Sequence, residues 1–319
     1  ENQKFQILIN ILKGIMLSLF QARPESECMI ESPHGFNYVE FSCIYPILEY
    51  TYLPFEKEYD NFIGNKIWNF IFEPGNIVYP LLAVTLYGIL LPIGTKFMKN
   101  RKPWQWRNQL AAWNFFLFSF STIGMLRTAP QVLHYLSKWS LKENMCNDIT
   151  YIYGHGSNGM WYQLFTLSKF IELIDTFFII IHKKPLIFLH WYHHVTVLTY
   201  CWFASSLSAP TCPFFSSMNY SVHAFMYGYY FLMAIRKKPK WLNPIYVTLA
   251  QISQMIAGVT LTALGFYYYS DSKKNGYDCA IEGKTLTAAG IMYGSYLYLF
   301  LQFFFGRFFT KKESTKKTV

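Results

Sequence analysis

From residue 77 onward the chain alternates long apolar runs with short polar breaks. The runs predict helices at about 77–97, 109–136, 160–182, 185–204, 214–235, 244–269 and 287–309, each near the roughly 20 residues that a bilayer requires. Ahead of them, 5–20 is apolar but shorter, with Gln6, Asn10, Lys13, Gly14 and Ser18 along one helical stripe. That stripe fits an in-plane or packing helix, a signal-like segment or an extra span. Residues 21–76 are more polar and contain no clear span. The first residue is Glu1, so a native start upstream is expected. The pattern gives an N-terminal extension over 1–76, a seven-helix domain over 77–309 and a basic tail over 310–319. No internal repeat or coiled coil is present.

Composition sharpens this to an all-α polytopic membrane protein with seven transmembrane helices. Hydrophobic residues make up 52% of the chain and charged residues 14%, and mean hydropathy is +0.15. A soluble domain of this length would carry far more charge. The net charge of +10 does not call for nucleic acid, because the basic residues cluster in short loops. Lys96, Lys99, Arg101, Lys102 and Arg107 follow the first run, Lys183 and Lys184 the third, and Arg236, Lys237, Lys238 and Lys240 the fifth. Every second loop is basic, and basic loops belong in the cytosol. The start of the first span is therefore expected in the lumen and the C-terminus in the cytosol. Lys316 and Lys317, fourth and third from the end, match the dilysine retrieval pattern of an endoplasmic reticulum membrane protein.

Five of the six cysteines, Cys28, Cys43, Cys146, Cys212 and Cys279, fall in lumenal segments on this topology, where disulfides persist. Cys146 with Cys279, in the two longer lumenal loops, is the expected pair, and Cys28 with Cys43 the second. Asn219-Tyr220-Ser221 is formally a glycosylation sequon. It lies inside a span and is expected to be unmodified.

The polar residues within the spans carry the chemistry. Lys169, Glu172 and Asp175 occupy the third, and His190, His193 and His194 the fourth. Ionisable groups are costly at membrane depth, so such clusters are functional-site candidates. At about 1.5 Å per residue from the basic edges, the three histidines lie roughly 9–15 Å deep and Asp175 and Glu172 about 12–16 Å. Tyr230, Tyr227 and His223 come at about 9, 14 and 20 Å on the fifth run, and Gln251 and Gln254 at about 16 and 21 Å on the sixth. One layer in the cytosolic half results, which implies a reaction chamber facing the cytosol.

Two chemistries compete for it. Membrane desaturases and hydroxylases hold two metal ions with several His-x-x-His-His clusters, but this chain has 8 histidines and only one such cluster. A single metal held by His190, His194 and a carboxylate is geometrically conceivable. Imidazole as nucleophile or base for acyl transfer needs only one cluster. A long acyl chain suits an apolar channel, and Lys183, Lys184, Arg236 and Lys237 could hold the phosphates of a thioester head group. A non-enzymatic seven-span receptor would share the topology, with its cavity opening outward instead.

Four boxes in order carry a family resemblance: Lys169-x-x-Glu172-x-x-Asp175-Thr176, His190-x-x-His193-His194, His223-x-x-Met226-Tyr227-x-Tyr229-Tyr230 and Thr248-x-x-Gln251-x-x-Gln254. They resemble those of the very-long-chain fatty acid elongases, from about the first span to the tail. Trp191-Tyr192 between the histidines resembles the subgroup that extends saturated and monounsaturated chains. The resemblance implies a 3-ketoacyl-CoA synthase condensing acyl-CoA with malonyl-CoA, with six helices in an inverted barrel around an acyl tunnel and no tightly bound cofactor. Membrane lipid, other enzymes of the cycle and a second copy of the chain would be its partners. His193 would then be the nucleophile. His190, His194, His223, Glu172 and Asp175 would share the catalytic work, with Lys169, Tyr227, Tyr230, Gln251 and Gln254 holding substrate. Cys201, about 25 Å from the cytosolic edge, lies too deep to replace His193.

Overall fold

The computed structural model describes residues 21–32, 35, 37–59, 63–150 and 154–309. The stripe over 5–20, His34 and the dilysine tail lie outside the described residues.

Long helices form in each of the seven apolar stretches. They are α5 (Val78–Met98), α6 (Arg107–Lys138), α8 (Gly156–Glu172) continued by α9 (Ile174–Ile181), α10 (Phe188–Ser206), α11 (Cys212–Ala234), α12 (Pro244–Asn275) and α13 (Gly283–Phe308). Among the described residues, four are long and apolar enough to cross a membrane: the stretch containing α5, then α6, α12 and α13. Of the other three stretches, the third is divided by the break at Leu173 into two helices too short to cross, and α10 and α11 carry the histidines and Asn219.

Local signals set the ends. Asn243 accepts from Ile245 N ahead of Pro244 at the start of α12, and Gly276 closes it at φ +70°, the left-handed cap that glycine permits. The expected third span is broken instead of continuous. Leu173 N donates to Phe170 O and Thr176 N to Leu173 O, both at 3.3 Å. These tight i→i+3 turns rotate α9 relative to α8.

Packing pairs the helices in a closed sequence. α6 packs on α11, α11 on α12, α12 on α13, α13 on α10, α10 on α8 and α8 on α6, while α5 sits outside against α9 and α10. Close approach needs glycine at two crossings. A Cβ on Gly124 of α6 would lie 2.5 Å from the Tyr220 ring of α11, and one on Gly258 of α12 would overlap Tyr293 of α13. α5 leaves Leu82, Leu86, Leu90 and Ile93 more than half exposed. That is the expected surface of a lipid-facing helix.

The polar stretch after residue 20, with no element predicted, is a built cap on one end of the bundle. It holds a hairpin of β1 (Met29–Glu31) and β2 (Asn37–Val39), with Ile30 paired to Tyr38. Short helices α1 (Phe41–Ile44), α2 (Pro46–Glu49) and α3 (Pro54–Lys57) follow, then α4 (Asn65–Phe72). Disulfides join Cys28 to Cys43 within the cap and Cys146, at the end of α7 (Leu141–Cys146), to Cys279 after α12. Arg127 of α6 fastens the cap. It donates to Glu56 Oε2 at 2.7 Å, Glu56 Oε1 at 3.1 Å and Thr51 O at 2.6 Å, with both charged side chains buried.

Candidate active site

α8 and α11 bring five polar groups into one chain of contacts. Lys169 Nζ donates to Glu172 Oε1 at 2.7 Å and to Asn219 Oδ1 at 3.1 Å, and Ser168 Oγ donates to the same Glu172 oxygen at 3.0 Å. Asn219 Nδ2 meets His223 Nε2 at 3.1 Å, and His223 Nδ1 lies 4.0 Å from Glu172 Oε2. All four of Lys169, Glu172, Asn219 and His223 are buried.

The geometry fixes protonation. An ammonium group can only donate, so Lys169 holds the amide oxygen of Asn219 towards itself and leaves the NH₂ facing His223. His223 Nε2 therefore accepts, and its proton resides on Nδ1, aimed at Glu172 Oε2. That carboxylate oxygen is buried and has no hydrogen-bond partner among the described residues. A buried acceptor left open beside an N–H at 4.0 Å is a site prepared for a guest or a small closure.

The three histidines of α10 stand ring to ring through His194, and His190 and His193 have further partners of their own. His190 Nε2 lies 2.9 Å from Thr176 Oγ1, which in turn meets Tyr87 OH at 2.7 Å. The His190 and His194 rings stand 4.5 Å apart, and His194 is buried with Nδ1 unpartnered among the described residues. His193 packs edge-on against His194 at 5.5 Å and is half-buried against Tyr296 at 4.9 Å. It lines a cavity of about 30 Å³, together with Phe165, Cys201, Asn219, Gln254 and Tyr293. The space holds a water-sized guest and no acyl chain, so a long substrate has to part these side chains.

The two carboxylates are separated by the break at Leu173. Glu172 faces Lys169 and His223, whereas Asp175 accepts from Trp113 Nε1 at 2.7 Å and from Tyr227 OH at 2.6 Å. Tyr227 is thus occupied with Asp175. Gln254 is buried at the cavity, but Gln251 donates to Met226 Sδ at 3.2 Å and is absent from the lining. Tyr230 is 43% exposed and stands edge-on to the buried Tyr229 at 5.6 Å. Lys183 Nζ donates to the carbonyls of Lys99 and Arg101 at 2.9 and 3.1 Å. Lys184, Arg236 and Lys237 are exposed at the same end.

Sequence reasoning passed over Asn219, Trp113 and Tyr296. Asn219 had a signal, since it precedes His223 by one helical turn and shares its face. Trp113 and Tyr296 carry none, because aromatic residues are common on every helix of this chain.

The chain matches the ELO family model, described as the GNS1/SUR4 family, over residues 74–317. It is 38% identical over 259 residues to very long chain fatty acid elongase 6 of Drosophila melanogaster, covering 80% of this chain and 79% of that protein. It is 37% identical over 236 residues to very long chain fatty acid elongase 6 of Gallus gallus, covering 74% of this chain and 86% of that protein. Fatty acid elongase 3 of Trypanosoma brucei brucei is 34% identical over 286 residues, covering 81% of this chain and 94% of that protein. A family match across most of the chain, carried by the same stretch that holds the Lys169, His193, His223 and Gln254 boxes, makes this chain a member of the ELO (GNS1/SUR4) family.

Proposed function

We propose that the chain is a 3-ketoacyl-CoA synthase, condensing a long-chain acyl-CoA with malonyl-CoA to add two carbons to the acyl chain. The observation that carries the reading is His193 on the wall of a buried cavity beside Asn219 and Gln254. The names of the relatives support fatty acid elongation as the process.

In this reading a ring nitrogen of neutral His193 attacks the thioester carbonyl. The tetrahedral intermediate collapses, the C–S bond breaks, and CoA thiolate leaves to take up a proton, giving an acyl-imidazole. Malonyl-CoA then enters and loses CO₂ to give the enolate of acetyl-CoA. The enolate carbon attacks the acyl carbonyl, the C–N bond breaks, and the departing imidazole takes up a proton from solvent, yielding 3-ketoacyl-CoA with neutral His193 restored. Gln254, buried at the cavity wall, donates its amide N–H to a developing oxyanion. His223, with its Nδ1–H towards Glu172, holds Asn219 in place at the cavity wall. Asp175, held by Trp113 and Tyr227, positions α9 against α6 and α11.

The topology belongs to the same proposal: seven spans, six of them around an acyl tunnel, in the endoplasmic reticulum with the cap and disulfides lumenal. Arg236, Lys237 and Lys184, exposed at the opposite end, would meet CoA phosphates from the cytosol. The test is incubation of purified protein with acyl-CoA alone. Release of free CoA with acyl label on His193, absent in His193→Ala, is expected. Label on Cys201, or no CoA release before malonyl-CoA is added, refutes the histidine intermediate. Absence of any labelled ketoacyl product across acyl lengths refutes the synthase itself.

A further inference from the structure

A second cavity, of about 50 Å³, lies at the disulfide end of the bundle. Its wall includes Trp68 and Ile71 of α4, Tyr162 and Gln163 of α8, Ser205 of α10 and Cys212 of α11. The cavity beside His193 is walled by the same three long helices one turn further on, through Phe165, Cys201 and Phe215. The two spaces therefore share walls on α8, α10 and α11 and are separated by about one helical turn of side chains.

We infer that Trp68 and Ile71 form the end stop of the acyl track and set the longest chain the enzyme accepts, an inference that rests on the synthase reading above. From His193 to Ser205, on the wall of the second cavity, α10 advances roughly 18 Å at 1.5 Å per residue. An extended hydrocarbon advances roughly 1.25 Å per carbon for a zigzag of 1.5 Å bonds. An acyl chain of about 14 carbons, attached at His193, therefore reaches the cavity that α4 closes.

The stop is held firmly. The Trp68 ring sits over Gly154, where a Cβ would meet it at 2.8 Å, and lies 5.1 Å from the His155 ring. Ile71 is buried, and Phe70 between them stands edge-on to Trp202 of α10 at 5.6 Å. The rest of the cap is pinned by the buried Arg127–Glu56 pair and by Tyr59, which donates to Gln163 Oε1 at 2.9 Å beside the cavity. Trp68 and Ile71 lie just ahead of residue 74, where the family-matched region opens.

The experiment measures the acyl-length profile of the purified full chain with labelled malonyl-CoA and a graded series of saturated acyl-CoAs. Trp68→Ala and Ile71→Ala are expected to extend the cut-off by about two carbons, roughly 2.5 Å of track, with rates on short chains unchanged. Cys212→Leu, which fills the same cavity from the opposite wall, is expected to shorten the cut-off and to answer the question if the cap variants fail to fold. An unaltered cut-off in a folded cap variant and in Cys212→Leu overturns the end stop while leaving the synthase reading intact. A wild-type protein inactive on every acyl length overturns the synthase reading first.

Discussion

Asn219→Asp isolates the electrostatic logic of the site, because it changes one atom's chemistry and almost nothing of the volume. The wild-type amide donates from Nδ2 to His223 Nε2 and accepts from Lys169, each at 3.1 Å. A carboxylate still accepts from Lys169 but has no N–H to offer. His223 then carries its proton on Nε2 or becomes an imidazolium. In the first case the Nδ1 lone pair faces Glu172 Oε2 across the 4.0 Å gap, where an N–H stood before. The loss is one oriented donor plus a lone pair turned on a carboxylate, about 1–3 kcal/mol. That corresponds to roughly a 5- to 150-fold slower condensation. In the second case Nδ1 keeps its proton, but His223 is a cation between two anions and the rate acquires a new dependence on pH. Single-turnover condensation with labelled malonyl-CoA, followed across pH beside thermal unfolding in the same detergent, measures both effects. Asn219→Leu is the control, since it releases His223 to choose its tautomer while removing one partner from Lys169. A wild-type rate and pH profile in folded Asn219→Asp protein would refute the assignment of the His223 proton.

Further outcomes follow from contacts away from the histidines. Arg127→Met leaves Glu56 buried without its bidentate partner, at a cost of about 3–5 kcal/mol; limited proteolysis should cut first in the cap near residues 51–59. Reducing or replacing Cys146–Cys279, which spans 133 residues, should lower stability by about 2–5 kcal/mol, read as a fall in the unfolding midpoint. An unchanged midpoint would show that the unfolded chain gains nothing from release of the link. Glu143, on the short helix α7, has its carboxyl held below the usual range by the Ser140 side chain and backbone N–H. A depressed carboxylate stabilises above its unfolded pKa and loses that contribution as pH falls through the folded one. Amide protection in α7, corrected for the intrinsic exchange rate at each pH, should therefore fall as pH drops below the usual carboxylate range, and Ser140→Ala should weaken that dependence.

Residues 169–204 show how far the candidate site is legible along the chain. Ionisable side chains in apolar runs declare themselves, because no packing requirement puts Lys169, Glu172 or three histidines there. Helical period placed His190 and His194 together correctly. It erred on Asp175, since a turn of i→i+3 bonds at Leu173 is invisible to a periodic reading and rotates Asp175 to Trp113 and Tyr227.

Seven helical stretches and the basic character of alternate loops came from composition and period alone, because a bilayer imposes length and apolarity on each segment independently. Which helices touch, which imidazole meets a cavity and which proton His223 carries were decided only by tertiary structure. Those depend on rotations about helix axes, close crossings at Gly124 and Gly258, and Asn219 standing between Lys169 and His223 from residues 50 and 4 positions away. The cap after residue 20 lay furthest from sequence reasoning. Its short elements have little period of their own and are held by Arg127 and by the bundle end they cover.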